Sequence, residues 1–188
     1  MIAESKTGPM ESKQIYGSMV SVYETGVLLL GESGVGKSET SLELISRGHS
    51  LVADDAVVIS LLPNSRLSGT APEMTARILE IRGLGIIDVS EIFGTSAYKK
   101  ELELSLCAEL CSPEEFTASH RLGSGLDFEE MLGVRLPKFV LPVKIGRNIP
   151  VLIEAAVKIH LAEKPAGQTA TELIDRYDQS LRSHLSQE

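Results

Sequence analysis

Apolar positions along the chain follow two rhythms. Residues 15–23 and 27–30 are short apolar runs rich in β-formers, which predicts two strands, and Glu24-Thr25-Gly26 predicts a turn joining them as a hairpin. From 37 to 47 the spacing becomes helical, with Leu42 and Ile45 on one face and Gly48 as a C-terminal stop. Residues 51–59 are β-rich again, with Asp54 and Asp55 unusually placed in mid-run, and Pro63-Asn64 marks the next turn. A second strand-rich block centres on 81–88; alternation at Leu102, Leu104, Leu106 and Ala108 and a strand-like stretch at 136–145 follow. Asn148 predicts the cap of a helix with Pro150 in its first turn and Ile153, Val157 and Leu161 on one face, interrupted at Pro165-Ala166-Gly167. A last helix over 171–185 carries the stripe Leu173, Ile174, Tyr177, Leu181 and Leu185, suited equally to its own domain or to another subunit. The strands and helices do not repeat as β-α units, and no 20–50-residue repeat, low-complexity tract or linker is visible.

Composition narrows the class. A length of 188 residues with 43% hydrophobic content fits one soluble domain spanning 1–188, with 1–13 as a flexible start. Lys+Arg 18 against Asp+Glu 26 gives a net charge of −8, which argues against nucleic acid or an anionic membrane as partner. No apolar run reaches the roughly 20 residues of a membrane span, and the polar start lacks a secretory signal, so the expected compartment is cytoplasmic. Cys107 and Cys111 are the only cysteines and have no zinc-ligand spacing, which predicts two reduced, packed thiols.

Candidate chemistry begins between the second strand and the first helix. Gly31, Glu32, Ser33, Gly34, Val35, Gly36, Lys37 and Ser38 fit G-x-x-x-x-G-K-[ST]. A strand, a glycine turn and a helix N-terminus aim backbone N–H groups at one point and cradle phosphate oxygens, with Lys37 on the β/γ-phosphates and Ser38 on Mg²⁺. Phosphoryl transfer also needs a carboxylate that orients or deprotonates the acceptor, and Asp54 and Asp55 are the candidates. On a continuous strand, adjacent residues face opposite ways, so one of the two is expected to face the reaction. Glu80 and Arg82 stand beside Gly83-Leu84-Gly85 and suit metal and phosphate contact respectively. Arg121 lies in His120-Arg121-Leu122-Gly123-Ser124-Gly125, and Lys144 and Arg147 precede the predicted cap Asn148; both segments could meet an anion.

Together these segments resemble HPr kinase/phosphorylase, the bacterial enzyme that phosphorylates a seryl hydroxyl of the phosphocarrier HPr and also removes that phosphate. The resemblance covers nearly the whole chain. It rests on the Gly31 to Thr40 segment, Arg47-Gly48-His49 with Ala53-Asp54-Asp55, the Leu79 to Asp88 segment, Arg121-Leu122-Gly123-Ser124-Gly125, and Pro142-Val143-Lys144-Ile145-Gly146-Arg147-Asn148. It implies an α/β fold with a P-loop core like that of phosphoenolpyruvate carboxykinase, a mixed sheet with C-terminal helices, and a homo-oligomer, a hexamer in relatives. It further implies Mg²⁺, ATP or pyrophosphate as donor, HPr as partner, and inorganic phosphate as attacking group in the reverse reaction, within the control of carbon metabolism.

By the same resemblance, Lys37 is essential, Ser38 and Glu80 are metal-associated, Asp55 is the proton acceptor of the kinase direction, and Arg121 is a catalytic arginine. Pro142, Val143, Lys144, Ile145, Gly146 and Arg147 match a loop associated with dephosphorylation. The family's first strand carries a catalytic His-Gly pair; here the pair is Tyr16-Gly17, and a neutral phenol cannot do what an imidazolium does. Full-length relatives have an N-terminal domain, so this chain is expected to be the catalytic domain alone. Two other classes stay open: a small-molecule kinase or carboxykinase-like enzyme, and a nucleotide-gated binding module without catalysis.

Overall fold

The computed structural model describes residues 11–116 and 127–166. Arg121 and the predicted helix at 171–185 lie outside them. In chain order the elements are β1 (Glu11–Tyr16), β2 (Ser18–Val22), β3 (Thr25–Leu30), α1 (Lys37–Ser46), β4 (Ser50–Ala53), β5 (Ala56–Leu61), β6 (Leu67–Thr70), β7 (Ile78–Ile81) and β8 (Gly85–Asp88). Helix α2 (Val89–Phe93), β9 (Glu101–Cys111), β10 (Asp127–Met131), β11 (Val134–Pro142) and α3 (Ile149–Ala166) complete the described set.

Nine strands form one mixed sheet in the order β1-β5-β6-β9-β3-β2-β4, with β11 also on β9 and β10 on β11. The 11-residue β9 organises it, pairing antiparallel with β6 through residues 101–104 and parallel with both β3 and β11. A chain with mixed strand directions and few helices matches the α/β mixed-sheet expectation. The central strands are buried on both faces, which is why their sequences read as continuous apolar runs. Val20, Val27 and Leu29 face a core closed by Leu44 and Ile45 of α1 and Ile153 and Val157 of α3. Met19 and Leu28 face a second core, shared with Val57, Ile59, Leu67 and Leu136, to which, among the described residues, no helix contributes.

Several predicted strand boundaries move. The run 15–23 breaks at Gly17, since β1 pairs with β5 while β2 pairs with β3 and β4. The run 51–59 breaks at the acidic pair, so Asp54 and Asp55 occupy a corner between β4 and β5. The hairpin turn is Tyr23-Glu24, both at positive φ (49° and 62°), with Val22 opposite Thr25. Gly26, read from sequence as a turn residue, lies inside β3, where an added Cβ would run into the Glu103 carbonyl oxygen of β9; the glycine permits close approach there. The strand expected at 136–145 starts at Val134 and ends at Pro142.

The helices follow the expected signals more closely. Gly36 and Arg47 flank α1, and Gly48 (φ +94°) provides its left-handed stop. Asn148 caps α3, its Oδ1 accepting from the Val151 N–H at 3.1 Å. Ile153 and Val157 are buried but Leu161 is exposed, and α3 continues to Ala166 through the predicted interruption at Pro165. Cys107 and Cys111 are buried free thiols, and burial pushes the Cys107 thiol up to about 12. No helix among the described residues is long and apolar enough to cross a membrane.

A polar clamp that sequence patterning does not reveal ties α1 to α3. Arg47 donates from Nε and Nη2 to the two Glu154 oxygens at 2.9 and 2.6 Å, and His49 Nε2 stands 3.1 Å from Oε1. The Tyr23 ring meets His49 edge-on at 4.9 Å. The Arg47 hydrogen bond, reinforced by His49, holds the Glu154 carboxyl down to about 2, below its ordinary 4.5. A depressed carboxylate stabilises the fold above its unfolded pKa and loses that contribution as pH falls through the folded one. The difference in urea midpoint between the wild type and Glu154→Gln should therefore be constant above about pH 5 and close between pH 4.5 and 2.

Candidate functional site

The turn between β3 and α1 takes the shape that its glycines allow. Gly36 precedes α1 at φ 106°, a conformation that side chains with a Cβ rarely adopt, and no side chain caps the helix. The first-turn N–H groups are thereby left to an external acceptor, the arrangement that binds anions. Lys37 curls back over the loop, its Nζ donating to the Gly31 and Glu32 carbonyl oxygens at 2.8 Å each.

The acidic corner faces this loop. Asp54 is 5% exposed and accepts from the Ser18 hydroxyl and from the Ser38 hydroxyl, the latter at 3.2 and 3.0 Å to its two oxygens. Burial raises the Asp54 pKa, and the two serine hydrogen bonds act against that rise. Asp55 is exposed, with φ +63°, and sits inside a tight bend closed by the Ala56 N–H donating to the Asp54 carbonyl at 2.7 Å. The Gly17 N–H donates to the Asp55 carbonyl at 3.1 Å, fastening the corner to the β1–β2 junction. The two carboxylates thus differ because the chain turns between them, one inward and paired, the other open. The alternation of a continuous strand does not apply.

An open cleft of about 510 Å³ gathers these groups. Its walls include Lys37 and Ser38 of the loop, both aspartates, and Glu80 and Arg82 from the β7–β8 hairpin. The Arg82 guanidinium lies so close over Gly34 that a Cβ there would stand 3.1 Å from Nη2. Tyr16, 82% exposed, reaches the same cleft from the end of β1.

Some sequence candidates stand elsewhere. Val35 packs against the core beneath the loop. Glu32 lines a neighbouring cavity of about 430 Å³ with Glu109, Glu115 and Lys138. Pro142, Lys144 and Arg147 line a third cavity, about 400 Å³, with Pro113 and Phe116, while Val143 packs on the core and Ile145 is fully exposed. Arg121 lies outside the described residues. Among the described residues no three His, Cys, Asp or Glu side chains cluster as a metal site; the oxygen donors that converge on the loop are Asp54 and the Ser38 hydroxyl, with Glu80 on the same cleft. Ser18 was not legible in advance, since nothing marks it apart from the apolar run that it begins.

Loss of the Lys37 ammonium removes the loop's point charge and leaves the helix N–H groups in place. Lys37→Ala should weaken inorganic pyrophosphate binding about tenfold or more in isothermal titration, without shifting the melting temperature by more than a few degrees.

A family model described as HPr Serine kinase C-terminal domain matches residues 10–177. The HPr kinase/phosphorylase of Thermoanaerobacter sp. strain X514 is 43% identical over 159 residues, covering 85% of this chain and 52% of that protein. That of Caldicellulosiruptor bescii is 42% identical over 166 residues, covering 88% of this chain and 53% of the relative. The chain thus spans about half the length of the curated relatives it matches. Among solved structures, the HPr(Ser) kinase/phosphatase from Coxiella burnetii superposes with a TM-score of 0.74 at 35% identity, over 81% of this chain and 98% of that one.

Proposed function

The chain belongs to the HPr serine kinase C-terminal domain family, and from that premise we propose that it is a protein serine kinase acting on HPr, with a reverse phosphorolytic reaction at the same site. One observation carries the reading: a single cleft is lined by the Gly31–Ser38 cradle, a buried and an open aspartate, and the Glu80–Arg82 pair. A cradle supplies phosphate binding, and the open carboxylate beside it supplies what transfer to a hydroxyl requires.

In the forward direction ATP or pyrophosphate places its phosphates on the first-turn N–H groups of α1, and Lys37 turns from the Gly31 and Glu32 carbonyls to the phosphate oxygens. Asp55, held open by the bend between β4 and β5, accepts the proton of the seryl hydroxyl. The seryl oxygen forms the new bond to phosphorus as the bond to the donor's bridging oxygen breaks, releasing ADP or phosphate. In reverse, inorganic phosphate attacks the phosphoseryl phosphorus, the bond to the seryl oxygen breaks, Asp55 returns the proton, and pyrophosphate leaves. Arg82, over Gly34, is suited to the charge on the transferred group.

The donor set suits Mg²⁺, since Ser38, Asp54 and Glu80 offer hard oxygens and no soft ligand intrudes. Bound there, the ion would supply positive charge against the negative charge that develops during transfer. The phosphoenolpyruvate carboxykinase-like core, the hexamer, the cytoplasmic compartment and a role in carbon regulation, expected from the resemblance, belong to this same proposal. So do the catalytic role of Arg121 and the dephosphorylating role of residues 142–147. Tyr16 bears on the reverse arm: it offers a neutral hydroxyl where the family's histidine can carry charge, so phosphorolysis should be the weaker direction.

The test is to incubate the chain with HPr, Mg²⁺ and ATP or pyrophosphate, follow HPr by mass, and then add excess inorganic phosphate. A gain of one phosphoryl group, reversed with release of pyrophosphate, is the expected result; no gain with either donor overturns the reading. In that assay Asp55→Asn should lower transfer about 10²–10⁴-fold while ATP still binds. Tyr16→His should raise the rate of phosphate-dependent removal relative to the forward rate, and an unchanged ratio would remove Tyr16 from the reverse arm.

A further inference from the structure

Asp54 is a nearly buried carboxylate whose side-chain hydrogen-bond donors are two hydroxyls from different parts of the fold. Ser38 opens α1 and belongs to the phosphate cradle. Ser18 opens β2, is 1% exposed, and donates to Asp54 Oδ1. Nothing in the phosphoryl-transfer steps uses Ser18, and the two residues that follow it in β2, Met19 and Val20, are apolar and fully buried. A hydroxyl at such a position carries a desolvation cost unless it is paired. Its partner, Asp54, is a buried carboxylate that also touches the cradle.

We propose that Ser18 is a positioning residue for divalent-cation binding. Its hydroxyl fixes the Asp54 carboxylate so that Asp54 and Ser38 present their oxygens together. This inference rests on the phosphoryl-transfer reading above. Without Ser18 the carboxylate keeps the Ser38 hydroxyl and the backbone N–H groups of Asp55 and Glu80, but it loses the hydroxyl that fixes Oδ1. With Ser18 bonded to Oδ1, rotation breaks a charge-assisted hydrogen bond in a site with little water to replace it. The β1–β2 junction holds Ser18 in place, since the Gly17 N–H is bound to the Asp55 carbonyl and both residues of the acidic corner are therefore tied to the same short segment. Ser18 contacts neither substrate nor reacting atoms in this scheme and acts only through Asp54.

The experiment titrates MgCl₂ into the chain in the presence of N-methylanthraniloyl-ADP and reads nucleotide affinity by fluorescence, for the wild type, Ser18→Ala and Ser18→Thr. Loss of one charge-assisted hydrogen bond should raise the Mg²⁺ concentration at half-effect about tenfold in Ser18→Ala. Affinity measured in EDTA should stay within about twofold, because the cradle itself is untouched. Ser18→Thr, which keeps the hydroxyl, should return the half-effect concentration to within about threefold of wild type. An unchanged half-effect concentration in Ser18→Ala overturns the proposal, as does equal weakening in Mg²⁺ and in EDTA, which is the signature of a packing role. If Ser18→Ala does not fold, Ser18→Cys replaces a strong donor by a weak one at similar volume and decides the matter on the same readouts. A wild-type chain that binds nucleotide with Mg²⁺ yet transfers nothing to HPr overturns the kinase reading and leaves the Ser18 result standing; a wild type with no Mg²⁺ dependence overturns both.

Discussion

The geometry of the site depends on the need of one buried carboxylate for hydrogen-bond donors. Asp54, removed from water, is stable only where donors reach it: the Asp55 and Glu80 backbone N–H groups, and two hydroxyls that come from the start of β2 and the start of α1. Meeting that need fixes the end of β4 against both segments. It also fixes the direction in which the chain leaves, since the next residue turns sharply outward before β5 begins. The open aspartate, the cradle and the cleft between them are set by the satisfaction of the hidden one.

Legibility in the sequence followed the range of the signal. The Gly31–Ser38 cradle, the cap at Asn148 and the stop at Gly48 are short-range patterns with one physical meaning, and they appear where the spacing puts them. Asp54 and Asp55 were legible as chemistry but not as geometry: the apolar residues on both sides suggest one strand, and only the separate partners of β4 and β5 reveal a corner. Gly26 carried the opposite error, because a glycine that admits a neighbouring backbone looks the same in sequence as one that makes a turn. Ser18 and Glu154 could not be read in advance, since their partners lie 36 and 105 to 107 residues away. The cationic segment at 142–147 was visible as charge, but its place in a cavity apart from the cradle is set by where β11 ends.

The clamp between Arg47, His49 and Glu154 adds a mechanical relation between these parts. Helix α1 carries the cradle at its first turn and Arg47 just past its last, while α3 carries Glu154 in its second turn beyond Asn148. The helix under the phosphate loop is therefore braced at its far end by the helix that follows the cationic segment. The braced pair covers one face of the sheet.

The folding back of Lys37 has a consequence for what the loop will accept. Its ammonium is already solvated by two carbonyl oxygens of the loop itself, so an arriving anion competes with an internal rival before it gains the full attraction of the charge. A weakly charged or monodentate anion offers little that the two carbonyls do not. A chain of linked phosphates offers several oxygens at once, engaging the helix end and the ammonium together. The loop thus behaves as an exchanger with a threshold, set by its own backbone, that favours polyphosphates over the abundant simple anions around it.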